Sequence, residues 1–138
     1  LFLLILTTLI AGVLPLVPSH YRIELAGSHY YWEETISGFI RLSHFGTCWE
    51  IIPYNKGSYI RAKSGRAVQF NGVGKRINAT YGKEVGLNHR WLFYPSGHTR
   101  DVIIVPSQEN DTYVNKQLEP VHAVMRPVTR WNLIPCHY

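Results

Sequence analysis

Short runs of alternating apolar and polar residues follow one another along most of this chain, and Gly, Asn, Ser or Pro residues separate them. A period of two predicts strands with one buried face, whereas no window repeats apolar residues at the helical period. The runs of strand length cover residues 21–25, 29–34, 38–43, 48–53, 58–63, 66–71, 75–81, 89–95, 101–107, 112–117, 122–126 and 130–135. The pattern therefore predicts an all-β domain of twelve short strands.

A Trp-x-x-x-Pro segment occurs three times, at residues 49–53, 91–95 and 131–135, with the tryptophans 42 and 40 residues apart. A near-constant interval of this size indicates repeated supersecondary units. Each copy predicts a strand in which Trp and alternate apolar residues pack inward, and Pro, which has no N–H, ends the pairing. The predicted core consists of Trp49, Trp91, Trp131, Ile23, Ile51, Ile60, Phe93, Ile103 and Leu133.

Three units of four strands, each closed by a Trp-led strand, resemble the β-trefoil family over residues 20–136. The first strands begin near Tyr21, Tyr59 and Val102, where a β-trefoil has them. In that family six strands form a short barrel and three hairpins cap one end. The resemblance implies one domain, residues 19–138, with three pseudosymmetric repeats, and a closed barrel leaves no open sheet edge.

The first 18 residues differ from the rest, because residues 1–17 carry no charge. This apolar segment fits the apolar region of a secretory signal. A retained membrane anchor and a buried part of the fold are the alternatives. We expect a membrane partner only if the segment is retained.

Cysteines and sequons agree with export to an extracellular location. Cys48 and Cys136 are compatible with one disulfide, and two buried free thiols are the alternative. Asn78 and Asn110 each begin an Asn-x-Thr glycosylation sequon, so both are expected to be exposed. Together with the apolar start, these features predict a secreted protein.

Among β-trefoils, the resemblance to ricin-B-type lectins implies shallow sugar sites. Each site uses an Asp on the second strand to hold hydroxyls, an aromatic ring beneath the sugar, and an Asn-Gln-x-Trp segment. In repeat two, Asn88 and His89 begin an Asn-His-x-Trp sequence, and Gln69 takes the place of the Asp. In repeat three, Asn115 takes that place beside Tyr113. The resemblance therefore implies a carbohydrate-binding protein, with the glycan expected on repeat two.

No repeat keeps the lectin carboxylate in this alignment. Repeat one has neither the Asp nor the Asn-Gln-x-Trp segment, although residues 30–32 make its hairpin the most aromatic. That hairpin is the next place to expect a sugar.

Two other kinds of β-trefoil fit the same residues. Fungal β-trefoil protease inhibitors lack the lectin Asp and act through variable surface loops, so a protease is the alternative partner. Growth-factor-like trefoils bind sulfated glycans, and a net charge of +5 favours an anionic polysaccharide. The predicted basic patch consists of Lys56, Arg61, Lys63, Arg66, Lys75, Arg76 and Lys83. The export signals and the absence of a nucleic-acid motif argue against nucleic acid.

No sequence motif predicts catalysis, a metal site or a cofactor. The chain has only two aspartates, Asp101 and Asp111, and its seven histidines form no H-x-x-x-H or Cys/His ligand set. There is also no nucleophile elbow or phosphate-binding loop. The sequence therefore predicts a non-catalytic binding protein.

Overall fold

The structure, a computed structural model, describes residues 19–82, 86–97, 100–123 and 128–138. The strands are β1 Ser19–Leu25, β2 Tyr31–Glu34, β3 Ile40–Ser43, β4 Trp49–Pro53, β5 Ser58–Arg61, β6 Ala67–Gln69, β7 Asn78–Thr80, β8 Trp91–Pro95, β9 Val102–Pro106, β10 Thr112–Val114, β11 Pro120–His122 and β12 Trp131–Pro135. A single 3-10 turn, η1 Leu87–His89, interrupts the strands of the described chain. The predicted all-β fold of twelve strands is confirmed. The apolar segment at residues 1–18, predicted to be signal-like, lies outside the described residues.

Six of the strands form a closed ring of antiparallel pairs. Going round, β1 pairs with β12, β12 with β9, β9 with β8, β8 with β5, β5 with β4, and β4 with β1. The other six strands form three hairpins, β2–β3, β6–β7 and β10–β11. A ring of this kind removes the open sheet edges that would otherwise invite pairing with other chains.

The three Trp-x-x-x-Pro strands make the same contact with the hairpins. Each tryptophan is fully buried, and a buried indole N–H requires an acceptor. The indoles of Trp49, Trp91 and Trp131 donate to backbone carbonyls on β2, β6 and β10, at 3.1, 2.9 and 3.3 Å. The acceptors are Trp32, Val68 and Val114. The repeated sequence motif is therefore matched by a repeated barrel-to-hairpin bond.

Most of the predicted core is buried, but the prediction for Ile103 is wrong. Val102 and Ile104 are buried, whereas Ile103 is partly exposed on the outer face, opposite Tyr94. Because side chains alternate along a strand, an error of one position moves a residue to the other face. Leu133 is only partly buried, although it still packs against the core.

The eleventh strand begins earlier than the sequence predicted. It was expected at residues 122–126, whereas β11 is Pro120–His122 and pairs with β10. The amide oxygen of Asn115 accepts hydrogen bonds from the backbone N–H groups of Gln117 and Glu119, at 2.9 and 3.1 Å. This Asn-centred turn reverses the chain directly after β10, so the return strand starts at residue 120.

A disulfide joins Cys48 to Cys136, with the Cα atoms 5.9 Å apart. This is one of the two alternatives that the sequence left open. The register of the barrel explains it, because Tyr21 of β1 lies opposite both Trp49 of β4 and Pro135 of β12. The cysteines next to those two residues therefore meet at the same end of the barrel.

Candidate functional site

The repeat-two residues expected to bind sugar are joined to one another by hydrogen bonds. Thr80 Oγ1 on β7 lies 2.8 Å from Gln69 Oε1 and 2.9 Å from His89 Nε2. Since the hydroxyl has one proton and donates it to Gln69, His89 Nε2 acts as the donor to Thr80. The other imidazole nitrogen, Nδ1, is then an acceptor; it is buried and has no hydrogen-bond partner in the described chain.

The same network continues into the turn between β6 and β7. Gln69 Nε2 donates to Asn71 Oδ1, and Asn71 Nδ2 donates to Asn78 Oδ1 at 2.8 Å and to the Arg76 carbonyl at 2.9 Å. Both ends of the Gln69 amide are therefore used within the protein. One Nε2 hydrogen and one Oε1 lone pair of Gln69 are left without a hydrogen bond to the described residues.

His89 is held in the form that the network requires. The imidazole is buried, and desolvation lowers its pKa, which favours the neutral ring. Asn88 is different: its carbonyl accepts from Phe70 N at 2.7 Å, while its half-exposed side-chain amide makes no hydrogen bond to the described residues. Among Gln69, Asn88 and His89, Asn88 is thus the residue whose side chain makes no hydrogen bond within the described chain.

The repeat-three residues serve the hairpin itself. Tyr113 is buried on β10, and Asn115 closes the β10–β11 turn with its side-chain oxygen. The Asn115 oxygen is thus occupied by backbone N–H groups. Neither side chain presents the open acceptor that a lectin site needs.

The two sequons differ in exposure. Asn110 lies exposed before β10, as predicted. Asn78 is not an exposed residue: it is partly buried in β7, pairs with Gln69 of β6, and accepts a hydrogen bond from Asn71. The prediction of an exposed Asn78 is therefore wrong, because pairing with β6 and the bond from Asn71 cover part of its side chain.

The predicted basic patch is divided by internal contacts. Arg61 pairs with Glu50 at 3.1 Å, and Arg66 pairs with Glu34 at 2.7 Å. Arg76 donates to the Ile40 carbonyl at 3.0 Å.

The lysines of that patch remain exposed at Lys56, Lys63 and Lys75, whereas Lys83 lies outside the described residues. β5 ends at Arg61, so Lys63 lies in the following turn and strand alternation does not place the two on one face. The arginines thus serve the fold, and the described lysines are left as surface charges.

The indole contacts reveal a candidate binding residue that the comparison of the three repeats by sequence missed. The residue after each indole acceptor is Glu33 in repeat one, Gln69 in repeat two and Asn115 in repeat three. Repeat one therefore does carry a carboxylate, at the position that corresponds to Gln69. The separations between indole and acceptor are 17, 23 and 17 residues, so the longer repeat two hid the match. Aligning repeats one and three by equal spacing from their tryptophans would have found it.

Glu33 lies in a cleft of about 640 Å³ on the β2–β3 hairpin. Glu33 is directly opposite Arg41 across the hairpin, and their side chains form an ion pair. Both are partly exposed, so carboxylate and guanidinium atoms remain accessible to a ligand. The cleft is lined by Glu33, Glu34, Thr35, Ile36, Ser37 and Arg41.

Two repeat-two residues, Arg66 and Ser64, fix the β2–β3 turn that forms one side of the cleft. Arg66 binds the Glu34 carboxylate and donates to the carbonyls of Thr35 at 2.9 Å and Ile36 at 3.2 Å. Ser64 donates to the same Glu34 carboxylate at 2.7 Å. The cleft is therefore pre-formed, and Glu34 is occupied by this support while Glu33 faces the open side.

An aromatic ring stands beside the cleft. Phe39 is two residues before Arg41, so strand alternation places the two on the same face of the hairpin. Phe39 is 44% exposed, and Arg76 lies over its ring with the guanidinium carbon 5.2 Å from the ring centre. A carboxylate, a guanidinium and an aromatic ring thus share one side of this hairpin.

The described chain offers no group of three or more His, Cys, Asp or Glu residues arranged to hold a metal ion. The same part of the chain contains no helix with the length and apolar character needed to cross a membrane.

No protein-family model matches the sequence, and no curated protein matches it either. Solved structures do match the fold. A GlcNAcα1-4Gal-releasing endo-β-galactosidase from Clostridium perfringens has a TM-score of 0.71 at 11% identity, covering 86% of this chain and 32% of its own. The Polyporus squamosus lectin bound to Neu5Aca2-6Galb1-4GlcNAc has a TM-score of 0.64 at 14% identity, covering 86% of this chain and 49% of its own. A complex of lysenin with phosphocholine has a TM-score of 0.68 at 15% identity, covering 94% and 48%.

At these identities the likeness is one of fold. It relates the fold of this chain to β-trefoil structures, as the sequence resemblance implied. The chain spans between 32% and 49% of the length of these structures.

Proposed function

We propose that this protein is a β-trefoil of three related repeats that binds carbohydrate, with its glycan site in the β2–β3 cleft of repeat one. The proposal rests on the position of Glu33. Its carboxylate occupies the hairpin position that the indole contacts make equivalent to Gln69, and it opens into a pre-formed cleft beside Arg41 and Phe39.

The chemistry of these groups suits a sugar. A carboxylate accepts hydrogen bonds from two neighbouring hydroxyls, and a guanidinium donates to hydroxyl oxygens in a fixed planar arrangement. The Ser37 hydroxyl at the turn adds a group that can donate or accept. Arg76 lies over the Phe39 ring, and the exposed part of that ring can cover the C–H side of a pyranose, which is apolar. Cleft, polar pair and ring thus supply the three elements of a shallow sugar site.

The structural relatives support this class of ligand. One is a lectin bound to the glycan Neu5Aca2-6Galb1-4GlcNAc, and another is an enzyme that releases GlcNAcα1-4Gal. We further propose that the protein is non-catalytic and is secreted. Exposure of Asn110 and the Cys48–Cys136 disulfide both suit an oxidising, extracellular setting.

A glycan array, run in parallel with a protease panel, tests the proposed function. We expect the protein to bind one family of glycans and to leave the proteases active. The glycan with the strongest signal is then titrated against Glu33→Gln, which keeps the side-chain shape and removes the charge. Losing a charge-assisted bond should weaken binding about ten-fold or more. Arg41 keeps the Glu33–Arg41 pair in contact with solvent, so the pair contributes only about 1 kcal/mol or less and the variant should remain folded.

Asn88→Ala is the matched control, because it removes the open polar group of repeat two. We expect it to bind the glycan like the parent protein. Loss of binding in Asn88→Ala but not in Glu33→Gln would move the site to repeat two. Inhibition of a protease without any glycan binding would refute the carbohydrate proposal.

A further inference from the structure

An exposed phenylalanine lies in the loop that follows β3, at the end of that strand away from the β2–β3 turn. Phe45 is 81% exposed, in the loop between β3 and β4. Arg22 contacts its carbonyl, His44 precedes it in the chain, and His44 in turn contacts His29 and Tyr30. We call these five residues the Phe45 surface. None of the five lines the proposed glycan cleft, although Tyr30 belongs to the aromatic hairpin that the sequence indicated as the next place to expect a sugar.

The loop that carries Phe45 is held in a fixed shape. Gly46 has φ +71°, and a Cβ at this position would lie 2.4 Å from the Tyr31 Cβ. The Gly46 N–H donates to Ser43 Oγ at 3.0 Å, and the Thr47 N–H donates to the Trp32 carbonyl at 2.8 Å. Because Gly46 has no side chain, the loop can lie directly against Tyr31 of the hairpin. Phe45, the residue before Gly46, is exposed to solvent.

A guanidinium and two imidazoles lie on the segments next to Phe45, at Arg22, His29 and His44. Arg22 donates to the Phe45 carbonyl at 3.4 Å, and its guanidinium carbon lies 4.2 Å from the centre of the Tyr31 ring. The His44 ring packs on Tyr30 at 4.3 Å between centres, and its Nδ1 lies 3.2 Å from the His29 carbonyl oxygen.

The carboxylate in contact with this surface is hidden from solvent. Glu24 is buried and accepts hydrogen bonds from the His29 N–H at 3.0 Å and from Asn132 Nδ2 at 3.2 Å. The exposed groups are therefore apolar, aromatic or basic, and the acidic group lies beneath them.

We propose that the Phe45 surface docks on anionic lipid, with the Phe45 ring inserted among the headgroups and Arg22 at the phosphate level. A specific protein partner would bury about 800 Å² on each side of the interface. A single exposed ring can instead be inserted into the headgroup region of a membrane. In segments that lie at a membrane interface, Phe is buried at the boundary between headgroups and acyl chains while Lys and Arg lie on the polar side. Arg22 adds attraction to an anionic leaflet, in keeping with the net charge of +5. This proposal does not rest on the glycan site.

The four native tryptophans are fully buried, so an indole introduced at the surface can be followed by its fluorescence. Full-length Phe45→Trp is mixed with vesicles of phosphatidylcholine, with or without about a third phosphatidylserine. We expect a blue-shifted emission with the anionic vesicles only. Leu87→Trp is the matched control, because Leu87 is 57% exposed on η1; its emission should stay unchanged.

Cosedimentation of the unlabelled protein completes the test. Phe45→Ser should bind the anionic vesicles about ten-fold more weakly than the parent chain, whereas Leu87→Ser should bind like the parent. Equal binding of Phe45→Ser and the parent would overturn the proposal, and so would equal binding to neutral and anionic vesicles. Because the vesicles carry no glycan, a failure here leaves the carbohydrate proposal intact.

Discussion

His89 shows how a single buried residue couples the fold to pH. One imidazole nitrogen takes part in the Thr80–Gln69 network, and the other is buried without a partner in the described chain. A proton on that second nitrogen would create a buried charge with no acceptor for its N–H. Burial accordingly lowers the pKa of His89 in the folded protein below 6.5, its value in an unfolded chain.

Acidification should therefore destabilise the protein through this residue. Below pH 6.5 His89 binds a proton more readily in the unfolded chain than in the folded protein, so the free energy of unfolding falls as the pH drops. Above pH 6.5 His89 is neutral in both states, and its contribution to the free energy of unfolding no longer changes with pH. Thermal unfolding between pH 7.5 and 5 measures it, with His89→Gln as the comparison because Gln still reaches Thr80 but does not titrate. An identical pH dependence of Tm in both proteins would show that His89 is not responsible.

At the scale of elements, the indole bonds connect the barrel to its hairpins. Three of the four tryptophans make such a bond, whereas the indole nitrogen of Trp32 is buried without a partner in the described residues. Trp32 is equally buried, so the chain supplies its own comparison.

We expect Trp91→Phe to lower stability more than Trp32→Phe does. Both variants remove similar ring volume, but only the first leaves the Val68 carbonyl without its donor at 2.9 Å. The difference should be about 1 kcal/mol, the net value of one buried hydrogen bond. Urea unfolding of the two variants measures this difference in the free energy of unfolding. If Trp32→Phe costs as much or more, then packing and not the indole bond sets the role of these strands.

At the scale of the whole molecule, the disulfide joins the last strand of the barrel to the first repeat. The two cysteines are separated by 88 residues, so the bridge restricts most of the unfolded chain. A loop of this length is expected to contribute about 4 kcal/mol. Replacing both cysteines with alanine should lower the free energy of unfolding by several kcal/mol with little change in the folded circular dichroism spectrum. A loss below about 1 kcal/mol would mean that the ladder β1–β12 alone closes the barrel.

The sequence predicted the architecture much better than the site. Alternation, turn residues and the three Trp-led segments were enough for twelve strands, because local pattern decides strand existence. Ile103 failed because one residue of register decides which face is buried, and β11 failed because the Asn115 turn was not recognised. The equivalence of Glu33 with Asn115 was visible in their equal spacing from Trp49 and Trp131, whereas the longer repeat two hid the equivalence with Gln69. The bonds of Gln69 to Asn71 and Thr80 depend on how the hairpin folds, so spacing could not predict them.

A crystal structure of the protein with the glycan that the array selects tests the position of the glycan site most directly. The measured quantity is the distance from the glycan hydroxyl oxygens to the Glu33 carboxylate. We predict at least one hydroxyl within about 3 Å of that carboxylate, with the sugar in the β2–β3 cleft beside Arg41 and Phe39. A glycan bound at Asn88, or on another hairpin with the Glu33–Arg41 cleft empty, would contradict the account.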